Sequence, residues 1–239
     1  MDQLNKHYVA HFDMLGMSKL TMSNTRLALE KLFLFDKAKQ DMLTLGIEFV
    51  QTEKYIQGRL LSYTFSDTIV IVTVGDSNDD LLSMIMLSAQ LFGRALFYSI
   101  PIRGAISFGE FLFNANSTIF AGPPLVNAYN IGEQSQWLGI VVDDIVAEKS
   151  RGLLPTATDG QQTIIEWNVP IKSGGTKRHY VVNWPPIFRN NFKVGPPLSV
   201  EVFYEMFSPL FGSYSNLRDN DKTKYINTVE FINARLLAK

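Results

Sequence analysis

Ten residues constrain the fold more than any others: Tyr63-Thr64-Phe65-Ser66-Asp67-Thr68-Ile69-Val70-Ile71-Val72. Two apolar, β-branched runs meet at Ser66-Asp67, and so short a connection leaves antiparallel pairing as the way to satisfy both backbones. The spacing predicts a central hairpin over Gly58 to Thr64 and Thr68 to Val74, with a carboxylate at its tip. An earlier strand, His7 to Asp13, also ends on an aspartate and runs into Met14-Leu15-Gly16-Met17.

Helical and extended segments alternate around the hairpin. Capping residues at Thr21 to Asn24 precede apolar positions at helical spacing up to Leu45-Gly46. Glu48-Phe49-Val50 reads as a short edge piece. Gly75 to Asn78 caps a long helix to about Tyr98, and Pro101 forbids its continuation. Ile102 to Glu110 reads as a further central strand. A turn at Asn114-Ala115-Asn116, a short extended Thr118-Ile119-Phe120, a helix from Leu125 to Ser135 and a strand Gly139 to Val142 follow. Asp143-Asp144 then caps a short helix. Strands that alternate with helices but include a direct hairpin predict an α+β fold, a ferredoxin-like or palm mixed sheet with helices on one face.

From about Leu153 the composition changes. Gln162 to Val169 and Arg178 to Trp184 read as a hairpin, a proline-rich connection follows, and helices are expected over Ser199 to Phe211 and Lys222 to Ala238. The expected organisation is a catalytic core over 1–150, with the hairpin and helices of 151–239 packed on the same domain. A length of 239 residues suits that arrangement.

Composition excludes some functions. The net charge of −1 supplies no basic field for non-specific nucleic-acid binding, and the absence of cysteine rules out disulfides and thiolate metal sites. Met1 to Lys6 lacks the apolar core of a signal peptide. Leu81 to Ile100 is interrupted by Gln90, Gly93 and Arg94, which favours a core helix over a membrane span. A soluble, cytoplasmic protein is expected, with neither nucleic acid nor membrane as partner.

Two strand-end aspartates, one followed by a glycine turn and a helix, point to a metal-dependent nucleotide site. Magnesium or manganese beside a triphosphate needs hard oxygen ligands, often two carboxylates with a backbone carbonyl. The alternative is that Asp13 and Asp67 are turn residues satisfying loop amides. Leu15-Gly16-Met17 could set successive N–H groups against phosphates, or be an ordinary strand-to-helix turn. Asn127, near the start of its helix, could hydrogen-bond a ribose or be a satisfied surface amide. His7 and His11 share a strand face and read as structural. Lys172, Lys177 and Arg178 flank a glycine turn and could reach a triphosphate, but a solvated hairpin tip is the favoured reading.

Four motifs in this order carry a resemblance: Phe12-Asp13-Met14-Leu15-Gly16, Phe65-Ser66-Asp67, Ile102 to Gly109, and Gly122 to Glu133. Over about Tyr8 to Asp144 the chain resembles the class III nucleotidyl cyclase catalytic domain. The Asp-x-Leu-Gly and Phe-Ser-Asp forms, the Arg-Gly-Ala-Ile strand and Tyr180 to Asn183 look most like the Pycsar pyrimidine cyclases of bacterial antiphage defence. The resemblance implies two Mn2+ or Mg2+ ions per site, held by Asp13, Asp67 and the Met14 carbonyl. It also implies a triphosphate on the Leu15, Gly16 and Met17 amides, and a head-to-tail homodimer in which Asn127 comes from the other subunit. The substrate would be UTP or CTP, and the cyclic product would act on a separate cyclic-nucleotide-responsive effector.

Departures from the pattern refine these expectations. Purine cyclases commonly carry a lysine where this chain has Tyr63 and a polar base-reading residue where it has Ile119. Losing both argues against a purine read in the usual way. The family's transition-state arginine corresponds to Ile131, although Glu133 is kept; Arg103, on a strand beside the site, is the candidate replacement. The competing expectations are a catalytically silent cyclase-like domain that binds a nucleotide or partner, and a purine cyclase or palm-type oligonucleotide synthase.

Overall fold

Strand β1 (Asn5–Met14) shows why the sheet has two unlike faces. Tyr8, Ala10, Phe12 and Met14 alternate onto one face and join the main core, each no more than 1% exposed. Burying a side chain such as Phe12 contributes roughly 1.5–3 kcal/mol. Val9, on the other face, belongs to a smaller cluster with Val72 and Phe111. The structure is a computed structural model and describes residues 4–49, 54–114, 119–153, 162–192 and 195–237.

After β1 come α1 (Met17–Ser23), α2 (Thr25–Leu45), the pair β2 (Ile47–Phe49) and β3 (Lys54–Ile56), and the hairpin β4 (Leu60–Phe65) and β5 (Thr68–Thr73). Then follow α3 (Asn78–Phe97), β6 (Ile102–Asn114), β7 (Ile119–Ala121), α4 (Pro123–Gln134), β8 (Ile140–Val142) and α5 (Asp144–Ser150). The C-terminal part holds β9 (Ile164–Pro170), β10 (Thr176–Val182), α6 (Pro185–Phe192), α7 (Val200–Glu205), α8 (Ser208–Phe211) and α9 (Asp219–Leu237). The main sheet runs β4-β5-β1-β6-β8-β10-β9. Its pairings are antiparallel except β6 with β8, so the expected α+β mixed sheet is found.

Capping explains the long helices. Asn24 accepts a bond from the Leu27 N–H at the start of α2. Ser77 and Asp80 form a reciprocal capping box at the start of α3. By length and composition α3 could cross a membrane, but 78% of its most apolar window is buried inside the fold, as befits a core helix. Asp143 accepts from the Val146 N–H and caps α5 as expected.

Several expectations require correction. The hairpin is not central: β4 is an edge strand, and β1 and β6 occupy the middle. Helices cover both faces, because α4 lies on the His11 side, where the Tyr129 ring meets His11 at 5.3 Å. Met17–Ser23 is a separate helix, and Pro185-Pro186 begins one, since proline suits the first helical turn. Ser199 to Phe211 is broken into α7 and α8 at Met206-Phe207, ahead of Pro209. The turn expected at Asn114 to Asn116 falls largely outside the described residues.

The β9–β10 hairpin extends the main sheet through β8. Its Val169, Val181 and Val182 share one buried cluster with Tyr8 and Phe12. Helix α9 is bound to that cluster by Phe231, whose ring lies 4.9 Å from Trp137 and 5.0 Å from Trp167. Gly104 lets β6 approach β1: a Cβ there would lie 2.3 Å from the His11 carbonyl oxygen.

Candidate metal and nucleotide site

β1, β5 and β6 run side by side, so Asp13 lies opposite Thr68 on one side and Arg103 on the other. The Met14 N–H donates to the Asp67 carbonyl at 2.8 Å, tying the hairpin tip to the end of β1. The two predicted metal ligands, Asp13 and Asp67, are thereby brought together. Ser66 has φ 56, an uncommon left-handed conformation for a side-chain-bearing residue, in the tight turn that presents Asp67. Ser18 Oγ donates to Asp67 Oδ2 at 2.7 Å and orients that carboxylate.

Asp13 is held from the opposite side. Arg103 Nη2 donates to Asp13 Oδ2 at 2.9 Å and also to Glu133 on α4. Arg103 Nη1 donates to the Ser135 carbonyl at 3.1 Å. Lys172, from the β9–β10 turn, pairs with the other Glu133 oxygen at 3.0 Å. Arg103 is only 4% exposed and its Nη donors are directed at protein acceptors. It braces Asp13 in this arrangement, whereas the sequence suggested a group turned toward substrate.

Burial raises the Asp13 carboxyl above its ordinary value; Arg103 opposes the shift, while Glu133 and Asp67 add to it. For Glu133 burial again acts upward, but the Lys172 hydrogen bond and the charges of Arg103 and Lys172 outweigh it and hold the carboxyl low. Arg103 pairs with Asp13 and Glu133 and Lys172 with Glu133, while Asp67 adds a third negative charge felt at Asp13 and has no ion pair among the described residues. The donors near the hairpin tip are hard oxygens with uncompensated charge, which fits a divalent magnesium or manganese ion. Among the described residues no cluster of three or more acidic, His or Cys side chains forms a complete cage. An ion at Asp13 and Asp67 would therefore complete its shell with carbonyl, water or phosphate oxygens.

The glycine turn follows directly. Gly16 has φ +79, and a Cβ there would lie 2.9 Å from Phe211 Cε1 of α8. The Leu15 N–H is committed to the Pro101 carbonyl at 2.8 Å, so the expected three-amide cradle narrows to Gly16 and Met17. The Met17 side chain is buried in the core, which anchors the turn.

Tyr63 is half-buried on β4, its ring 4.4 Å from Phe120 and 5.6 Å from Phe113. It lies in register with Val70, which pairs with His11, so all three share the sheet face that carries Asp13. Asn127 is exposed on α4, on the helix that also carries Ile131, which packs against the core. His11 is buried against Tyr129; burial lowers its pKa, with Asp13 and Glu133 opposing. His7 Nδ1 is bonded to the Thr73 carbonyl at 2.8 Å, in keeping with a structural role.

Sequence reasoning missed the roles of Ser18 and Lys172. Ser18 carried a faint signal, a hydroxyl two residues beyond the turn glycine. Lys172 was visible as a cation beside a glycine turn, but its pairing with Glu133 depends on how β10 docks on β8.

No family model matches the chain, and no curated protein matches it in sequence. Solved structures do match. The catalytic core of a rhodopsin-guanylyl cyclase with converted specificity, in complex with ATPalphaS, aligns with a TM-score of 0.50 and 12% identity, over 75% of this chain and 95% of that one. An adenylate/guanylate cyclase/hydrolase from Silicibacter pomeroyi gives 0.49 and 15% identity over 75% and 98% of the two chains. A bacterial light-regulated adenylyl cyclase gives 0.49 and 12% over 76% and 53%. The chain shares its fold with that rhodopsin-guanylyl cyclase catalytic core.

Proposed function

We propose that this chain is a nucleotidyl cyclase that converts UTP or CTP to cUMP or cCMP. The observation that carries this reading is the convergence of Asp13 and Asp67 at adjoining strand ends, beside the Gly16 turn. In the proposed reaction the ribose 3′-oxygen forms a bond to the α-phosphorus as its proton leaves. The bond from that phosphorus to the β-phosphate bridging oxygen breaks, and pyrophosphate departs. Asp13, Asp67 and the Met14 carbonyl would hold the divalent ions, which when bound lower the charge on the phosphates and acidify the hydroxyl.

The chain's own residues supply positioning. Arg103 fixes the Asp13 oxygen, Ser18 fixes Asp67, and the Gly16 and Met17 amides face the phosphates. Tyr63, with Phe113 and Phe120 behind it, offers an aromatic wall suited to a small pyrimidine ring. Exposed Asn127 would act in the site of a second copy, in a homodimer with composite sites. The cyclic product would then signal to a separate effector in antiphage defence.

Incubating the protein with each NTP and manganese, with product identified by mass spectrometry, tests the reading. Absence of cyclic pyrimidine product from a folded dimer would overturn it. A second reading, a domain that binds nucleotide without turnover, draws on Ile131 packing against the core and on Arg103 being occupied with protein acceptors. Metal-dependent NTP binding without product would favour that reading.

A further inference from the structure

The register of β4 runs against its own hydrophobic pattern. Leu61, Tyr63 and Phe65 stand on the face of Val70 and Val72, where Phe65 is 84% exposed. Ser62 and Thr64 instead lie opposite Ile71 and Ile69, on the face that joins the main core. Ser62 Oγ is buried there without a hydrogen-bond partner among the described residues. A slip of one residue would turn Tyr63 and Phe65 inward beneath the helices and bring the two hydroxyls out. The Ser66-Asp67 turn has no glycine to favour a two-residue loop, and β4 has β5 as its one strand neighbour among the described residues. Apolar burial therefore does not account for the observed register.

Lys39 of α2 does. It is 1% exposed although it carries a charge. Its Nζ donates to Thr64 Oγ1 and pairs with Asp36, one turn earlier on α2. Thr64 Oγ1 donates in turn to Asp36 Oδ1 at 3.0 Å, which closes the set of contacts. A lone buried ammonium is costly, and a buried ion pair stabilises little beyond what apolar packing would supply. Fixing a register is the best-attested use of such a pair. Here the observed register sets the Thr64 hydroxyl between Lys39 and Asp36, whereas a one-residue slip would set an aromatic ring there.

We propose that Lys39, with Asp36, is a positioning residue that locks the register of β4 through Thr64 and so holds Tyr63 at the nucleotide base. This assignment rests on the cyclase reading above, in which Tyr63 walls the base. It gives a residue of α2, across the sheet from Tyr63, a part in choosing the substrate.

The test compares wild type with three variants. Thr64→Val keeps the β-branched shape and removes the hydroxyl, Thr64→Ser keeps the hydroxyl, and Lys39→Met combined with Thr64→Val removes the buried cation as well. NMR reads the contact between the Tyr63 and Phe120 rings and hydrogen exchange along β4. Turnover of each NTP with manganese reads kcat, KM and the discrimination between pyrimidine and purine. Thr64→Val and the double variant should weaken the ring contact, speed exchange along β4 and raise KM for the preferred NTP, the last two by about 10-fold. Discrimination should fall, kcat should change less than KM, and Thr64→Ser should restore wild-type behaviour. Wild-type ring contact and exchange in both hydroxyl-free variants would overturn the assignment and leave the cyclase reading standing. A displaced Tyr63 with unchanged KM and discrimination, or a lower unfolding midpoint as the sole effect, would also overturn it. If wild type itself forms no cyclic product, the cyclase reading fails, and the NMR arm still decides whether Lys39 and Thr64 hold the register.

Discussion

The Met14 N–H bonded to the Asp67 carbonyl at 2.8 Å fixes the hairpin tip against the end of β1 by backbone alone. Removing either carboxylate should therefore spare the geometry and lose the ligand. Asp13→Asn and Asp67→Asn should each weaken manganese binding by 10-fold or more, as read by calorimetry. The double variant should lose less than the sum of the two, since in the proposed site both groups would hold the same ions.

Gly16 tests the turn and its cover together. Gly16→Ala combines φ +79 with a Cβ 2.9 Å from Phe211 and should cost about 1–3 kcal/mol in denaturant unfolding. Adding Phe211→Ala should recover the clash and leave the backbone cost, so the pair should be measurably non-additive.

The two network carboxyls shift in opposite directions, and the signs are testable by carboxyl NMR titration of the metal-free protein. Asp13 is raised, so it takes up a proton at a higher pH than an ordinary aspartate. Proton uptake there should weaken manganese binding as pH falls through that value. Asp67→Asn removes one of the charges raising it and should move the Asp13 titration downward. Glu133 is lowered, so its contribution is present above its unfolded value and is lost as pH falls through the folded one. Wild type and Lys172→Met should differ by under about 1 kcal/mol near neutral pH and converge in acid, since the pair is partly exposed.

Thr228 reports whether α9 shares the stability of the sheet. Its buried Oγ1 accepts from the Leu138 N–H at 2.8 Å and donates to the Lys224 carbonyl at 2.6 Å. Thr228→Val leaves the Leu138 N–H without its partner and should cost about 1–3 kcal/mol in a single unfolding transition. A second, separate transition would mean that α9 unfolds on its own.

Period-two alternation in His7 to Asp13 and the Ser66-Asp67 turn made the strands legible, and with them the aspartates at their ends. Capping chemistry did the same for α2, α3 and α5. Strand order was not legible, because alternation states which residues share a face and leaves open which strands are neighbours; hence β4 at the edge and α4 on the far face. The same limit hid the pairing of Lys172 with Glu133, which forms only after β10 docks on β8. Arg103 was placed near the site from its strand, but its brace on Asp13 depended on the β1–β6 register. The commitment of the Leu15 amide was not legible either, because its acceptor, Pro101, lies far along the chain.

The most direct test of the cyclase account is a competition in which ATP, GTP, CTP and UTP are supplied together at equal concentration with manganese. Mass spectrometry then reads every cyclic product formed by wild type and by Asp67→Ala. Wild type should yield cUMP or cCMP as the dominant product, with at least a 100-fold loss in Asp67→Ala. A dominant cyclic purine, no cyclic product from the folded wild-type protein, or undiminished product from Asp67→Ala would contradict it.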